Sequence, residues 1–212
     1  MSDRSVISQS KIMDEARRDL SGNWGLAIGF TCIFILLSLA MLIFPLSPLI
    51  FSGPLSLGVV FFYLNISRNK YAEIGNIFEG FNNFGDALLA YIVYFISIFF
   101  GFILFIIPGI FLALAWSQTF YILHDNPGIS ATDALKKSWD MMDGFKWDYF
   151  LLALIFVLLF ILSSFTFYIA LLWLIPFMQM SYAKFYERIK YVNFPEDEPG
   201  HEDDYADHLL DF

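Results

Sequence analysis

Chemistry at membrane depth begins with an ionisable side chain, the usual mark of a proton relay, an ion site or a counter-ion. This sequence withholds one. Asp, Glu, Lys and Arg are absent from residues 21–67, 87–124 and 149–183. Within those stretches Gln118 and Gln179 are the most polar candidates, each within two turns of the polar end of an apolar run. Interhelical hydrogen bonding is the simpler role for both, and contact with a solute the sharper one. Gly53, Pro54, Pro108, Gly109 and Pro176 are candidate helix breaks, where unwound backbone can receive a ligand; for Gly53-Pro54 and Pro108-Gly109 a tight turn is the simpler role. His124, His201 and His208 have no metal-ligand spacing and no cysteine companions, so neither a metal nor any other cofactor is expected. Asp140 and Asp143 could act at the surface, but a solvated helix face explains them more simply. No acid, base or nucleophile can be assembled at membrane depth, and the expectation is a protein that is not an enzyme.

The elements that must position these groups are long and apolar. The 212 residues are 58% hydrophobic, with 26 Phe and a mean hydropathy of +0.63, which excludes an ordinary soluble domain. Roughly 20 helical residues cross a ~30 Å hydrocarbon layer. Runs near 24–44, 47–67, 85–106, 109–124, 148–164 and 167–188 are read as crossings. The return over 47–67 is either one kinked helix or a shorter helix starting near Pro54. The other turns are expected at Pro108-Gly109 and near Ser163-Ser164. The first twenty residues carry no apolar signal-peptide core, so insertion without processing is expected. Cys32 is the only cysteine, and an intrachain disulfide is excluded.

Three polar stretches read as amphipathic surface helices lying on the membrane. In residues 7–20, Ile12, Met13, Ala16 and Leu20 share one side. In residues 68–83 the helical spacing groups Ile74, Ile77, Phe78 and Phe81. The third follows the stop at Asp125-Asn126-Pro127-Gly128: Ser130 and Asp133 form a capping box, Ala131, Leu135, Trp139, Met142 and Phe145 share a face, and Gly144 ends the helix before Trp147 re-enters lipid. Phe62-Tyr63, Phe120-Tyr121 and Phe185-Tyr186 stand near the ends of the three returning runs. They mark either a threefold repeat or the ordinary gathering of aromatics at interfaces.

The formal charge is −9, but residues 191–212 hold eight Asp/Glu and no Lys/Arg. Acidity therefore belongs to a tail whose composition predicts disorder, with Tyr205, Leu209 and Phe212 as a possible docking peptide. It says nothing about nucleic acid, which is not expected as a partner. The fold class that follows is an all-α integral membrane protein with six transmembrane helices as three hairpins, each preceded by a cytoplasmic amphipathic helix. Its parts are a cytoplasmic helix at 1–23, a transmembrane domain at 24–190 with cytoplasmic loops 68–84 and 125–148, and the tail at 191–212. All 12 Lys/Arg fall on one side of such a layout, and the positive-inside rule makes that side cytoplasmic, with both termini there and the plasma membrane as the location.

Tyr121 to Pro127, Ser130 to Trp139, Met142-Asp143-Gly144 and Phe150-Leu151-Leu152, together with Leu20 to Trp24, Gly53 to Gly58 and Ile107 to Ile110, resemble a bacterial family of integral membrane proteins, the domain-of-unknown-function family nine-seven-five. The resemblance covers about residues 10 to 190 and leaves the tail outside. It implies a multi-spanning plasma-membrane protein, and it brings no catalytic residue with it.

The expected function is that of a scaffold, an accessory subunit, or an envelope-stress or immunity factor working through its cytoplasmic helices, with Lys136, Lys137, Trp139 and Met142 as contact candidates. The alternative is a small permease, with Gln118 and Gln179 beside the broken helices. Expected partners are the lipid bilayer and another membrane or cytoplasmic protein. The sequence leaves the oligomeric state open.

Overall fold

The computed structural model describes residues 8–104, 106–163, 165 and 169–193, and these are helical with short turns. The acidic tail and its proposed docking residues lie outside them, as do His201 and His208. Nine α-helices and one 3-10 segment follow in order: α1 (Gln9–Leu20), α2 (Trp24–Met41), α3 (Ser47–Ser67), the 3-10 segment Ile74–Asn83, α4 (Phe84–Leu104), α5 (Ile106–Ala115), α6 (Thr119–Asp125), α7 (Ala131–Met141), α8 (Lys146–Ser163) and α9 (Leu171–Asn193).

Local chemistry explains the junctions. Ser130 is extended (φ −70, ψ 152), and its Oγ accepts the Asp133 N–H at 3.2 Å, capping α7 as its spacing predicts. Gly22 (φ +90) and Gly144 (φ +85) sit where α1 hands over to α2 and α7 to α8. That left-handed turn is costly for any residue with a Cβ.

Among the described residues, five stretches are long and apolar enough to cross a membrane: Trp24–Met41, Ser47–Ser67, Ile74–Ile103, Ile107–Asp125 and Lys146–Ser163. The sixth expected crossing is shorter in its apolar part, since α9 is uncharged only from Leu171 to Ala183 before Lys184, Glu187 and Arg188 follow. The alternative left open over 47–67 resolves to one helix with Pro54 inside it.

Three expectations are corrected. Pro108 and Gly109 do not make a turn; they lie in the first turn of α5, where a proline removes no needed hydrogen bond. The return that contains them is instead interrupted at residues 116–118, between α5 and α6. The segment at Ile74–Asn83 has 3-10 geometry, so its inner face follows a spacing of three, as a three-residue turn requires. Ile77 and Gly80 are buried, whereas Phe78, expected on that face, is 56% exposed.

The amphipathic segments also use their apolar faces differently from the expectation of a helix lying on lipid. Ile12, Ala16 and Leu20 of α1 are buried within the protein, as are Ala131, Ala134, Leu135, Ser138 and Met141 of α7. The 3-10 segment packs on α3, α7 packs on α6, and α1 packs on α9. These are the three helices that carry the Phe-Tyr pairs. The second and third of these segments thus cover the helix shortly before them in the chain, and the first closes onto α9.

Lipid tails are as apolar as leucine, so close approach and polar contacts hold such helices together. Gly58 faces the backbone of Ile77, Gly80 faces that of Pro54, and Gly53 that of Ala87; a Cβ at any of the three meets a carbonyl. Phe30 stacks on Phe62 at 3.9 Å, a geometry worth about 0.5–1.5 kcal/mol beyond area burial. The core helix is α3, with 61% of its span buried against 17% for the α2 and α8 spans.

Candidate functional site

The ends of α3, α6 and α9 converge on one carboxylate, Asp125. Its neighbours come from all three helices. The Arg68 guanidinium, just past α3, donates from Nη1 to Oδ1 at 2.7 Å and from Nη2 to Oδ2 at 2.8 Å, a two-pronged geometry that fixes both planes. Oδ2 also accepts from the Tyr186 hydroxyl and from Lys190 Nζ, each at 2.9 Å, and His124 Nδ1 lies 2.8 Å from Oδ1.

The network extends outward. Arg68 Nε donates to Glu187 Oε1 at 3.1 Å, the Ser67 hydroxyl donates to the other oxygen of Glu187, and Lys184 Nζ donates to the Ser67 carbonyl at 3.3 Å. Lys184 further pairs with Asp19, and Arg188 with Glu15, joining α1 to α9. The Asp86 carboxylate accepts the Ala131 N–H at 3.2 Å, joining α4 to α7. Burial on its own pulls the Arg68 pKa down, but Asp125 and Glu187 more than offset it and hold the guanidinium above its ordinary value. Burial pushes the Asp19 carboxyl up, and Lys184 only partly restrains it.

Beneath the charged groups lies an aromatic layer. Tyr63, Tyr121 and Tyr186 are all buried, one from each return, and Tyr121 stacks on Tyr186 with centroids 4.9 Å apart. A cavity of about 240 Å³ opens beside Asp125, lined by Ile122, Asn126, Lys137, Met141, Tyr186 and Lys190.

A second polar feature is the break between α5 and α6. The Ser138 hydroxyl of α7 donates to the Ala115 carbonyl at 2.8 Å and accepts the Gln118 N–H at 3.2 Å, so one side chain receives both backbone groups freed by the interruption. Gln118 is fully buried and donates from Nε2 to Ser117 Oγ at 2.8 Å. Its Oε1 is buried without a partner among the described residues.

The candidate residues scatter around these two features. Gln179 is half-buried on α9, and Pro176 is buried within the same helix. Gly53 and Pro54 lie buried inside α3, as a close contact with the neighbouring segments and not as a break. Lys136 and Trp139 are exposed on α7, with Trp139 edge-on to Phe111 at 5.5 Å and Lys146 over both rings. Lys137 donates to Asn126 Oδ1 at 3.2 Å and faces the cavity. Met142 is buried and so withdrawn from any external partner. Arg68, Glu187 and Lys190 were not singled out by sequence reasoning, which read Asp125 only as part of a turn and Tyr186 only as an aromatic near the end of a helix. The sign that could have found them is a charged or polar residue four or five positions after the Tyr of each Phe-Tyr pair: Ser67 and Arg68, Asp125, Lys190.

Described residues that are all helical, with five apolar spans among them and charges tied together at the helix ends, make this a membrane-embedded helical protein. Residues 92–193 match the family described as "Protein of unknown function (DUF975)", which is the family that the motifs resemble. The marks at Leu20 to Trp24 and Gly53 to Gly58 fall outside the matched stretch. No curated protein and no solved structure matches the chain.

Proposed function

We propose that the chain is a six-crossing plasma-membrane protein, arranged as three hairpins with both termini in the cytoplasm, that acts as a scaffold or accessory factor without catalysing a reaction. The observation that carries this reading is the ion network itself. It ties the N-terminal segment, the end of α3, the end of α6 and the end of α9 to one another. Groups that share such contacts share one aqueous boundary, and an even number of crossings, with α9 as the sixth, is the layout that keeps them there. Positive charge then favours the cytoplasmic side.

The surface offered to a partner is the outer face of α7, where Lys136, Asp133, Trp139 and Asp140 are exposed. A membrane or cytoplasmic protein of the envelope-stress or immunity kind fits this face as a partner class. Lysine crosslinking from Lys136 in intact membranes tests the reading: a defined protein adduct is the expected result, and lipid adducts alone contradict it.

One observation favours a second reading, a small permease. The interruption at residues 116–118 places a buried Gln118 oxygen that has no partner among the described residues inside the bundle, and a solute hydrogen-bond donor would satisfy it. Reconstituted vesicles that retain a panel of small polar solutes as well as protein-free vesicles do would eliminate it.

A further inference from the structure

We infer that the cavity beside Asp125 is a binding site for a phosphate group. It lies between three elements: Ile122, Asp125 and Asn126 belong to α6 and its end, Lys137 and Met141 to α7, and Tyr186 and Lys190 to α9. Asn193 Nδ2 donates to the Met141 carbonyl at 3.3 Å and so ties the end of α9 to α7 at this point. At about 240 Å³ the space is far larger than the ~10–15 Å³ that one water needs.

The choice of an anion follows from how the lining is already used. Its only carboxylate is occupied on both oxygens, Oδ1 by Arg68 and His124 and Oδ2 by Arg68, Tyr186 and Lys190. A cation entering the cavity therefore meets two ammonium groups and a carboxylate already surrounded by donors. A phosphate meets Lys137 and Lys190 as charged donors, each ammonium carrying three N–H groups, and it joins Asn126 as a further acceptor beside Lys137. Ile122 and Met141 complete the lining with apolar side chains. The site sits at the charged ends of the helices, next to the exposed Pro127 and Gly128. A soluble phosphate and the phosphate of a lipid headgroup both reach that level, and the shared chemistry is the monoanionic or dianionic phosphoryl oxygen.

The inference is independent of the number of crossings and of any protein partner. It is tested on the full chain in nanodiscs of phosphatidylcholine, by thermal unfolding against inorganic phosphate or glycerol phosphate in one arm and against added phosphatidylglycerol in the other. A saturable rise in Tm in either arm is the expected result, because a ligand that binds the folded state stabilises it by mass action. A rise with the soluble probes assigns the site to a soluble phosphate, and a rise with phosphatidylglycerol alone assigns it to a headgroup. Lys137→Gln should weaken the binding by about tenfold or more, the usual effect of losing one charged donor. Lys136→Gln makes the same charge change on the exposed face of α7 and should leave binding intact. Asn126→Asp, which adds a carboxylate to the lining, should weaken binding as Lys137→Gln does and covers the case in which that variant does not fold. Absence of a saturable rise in both arms, or equal losses in Lys136→Gln and Lys137→Gln, overturns the inference.

Discussion

The two ends of the bundle are built on opposite rules. At the charged end Arg68, Asp125, Tyr186, Glu187 and Lys190 are drawn into a common hydrogen-bonded cluster over buried tyrosines. At the other end Leu39, Leu42, Ile43 and Phe44 at the junction of α2 and α3, Phe99, Phe102 and Ile103 of α4, and Leu158, Ile161 and Leu162 of α8 are exposed. In water that surface would be a liability. In lipid its exposure costs nothing, and it also contributes little to holding the helices together. Specific stability is therefore concentrated where the helices emerge.

The largest effect should come from Asp125→Ala. It leaves Arg68 and Lys190 without their shared carboxylate in a mostly buried setting, where removing one partner costs about 3–5 kcal/mol. Unfolding titration in detergent measures it, and a loss below about 1 kcal/mol would mean the cluster is well solvated. Next is Gly58→Val, which pushes a side chain into the backbone of Ile77. Overpacking of that kind costs about 1–3 kcal/mol, and the same assay should show it.

A smaller and pH-dependent effect is expected at Asp19. Its folded pKa lies above the ordinary 3.8, so the folded state binds the proton more readily than the unfolded chain. Its contribution to stability is then largest below 3.8 and falls as the pH rises through the raised value. Melting curves across that window should show this slope in the native chain and lack it in Asp19→Asn. The smallest effect belongs to the apolar end, where Leu158→Ala should stay within about 0.5 kcal/mol in the same titration. A large loss there would erase the contrast between the ends.

Much of this contrast was legible from local pattern. Charge-free runs announce the apolar spans, and Ser130 and Gly144 announce the bounds of α7, because caps and helix periodicity are encoded within a few residues. The inner face of Ile74–Asn83 was misread because the three-residue step from Ile77 to Gly80 replaces the α-helical pairing of Ile77 with Phe81 only when the turn tightens to three residues. The break at residues 116–118 carries no proline or glycine, and its backbone groups are received by Ser138, a residue of a different element. The cluster at Asp125 was missed for a related reason, since the recurring polar residue after each Phe-Tyr pair marks its members without showing that they meet. Its members lie far apart in the chain, 57 residues between Arg68 and Asp125 and 119 between Arg68 and Glu187, so only the packed helices bring them together.

Site-directed labelling in intact cells tests the shared boundary most directly. With Cys32 replaced by alanine, single cysteines at Tyr71, Lys136 and Ile43, all exposed positions, are challenged with a membrane-impermeant maleimide before and after the membrane is opened. Tyr71→Cys and Lys136→Cys should both be protected until the membrane is opened, while Ile43→Cys should react from outside. Reaction of Lys136→Cys from outside while Tyr71→Cys stays protected would place the charged segments on opposite sides and contradict the account.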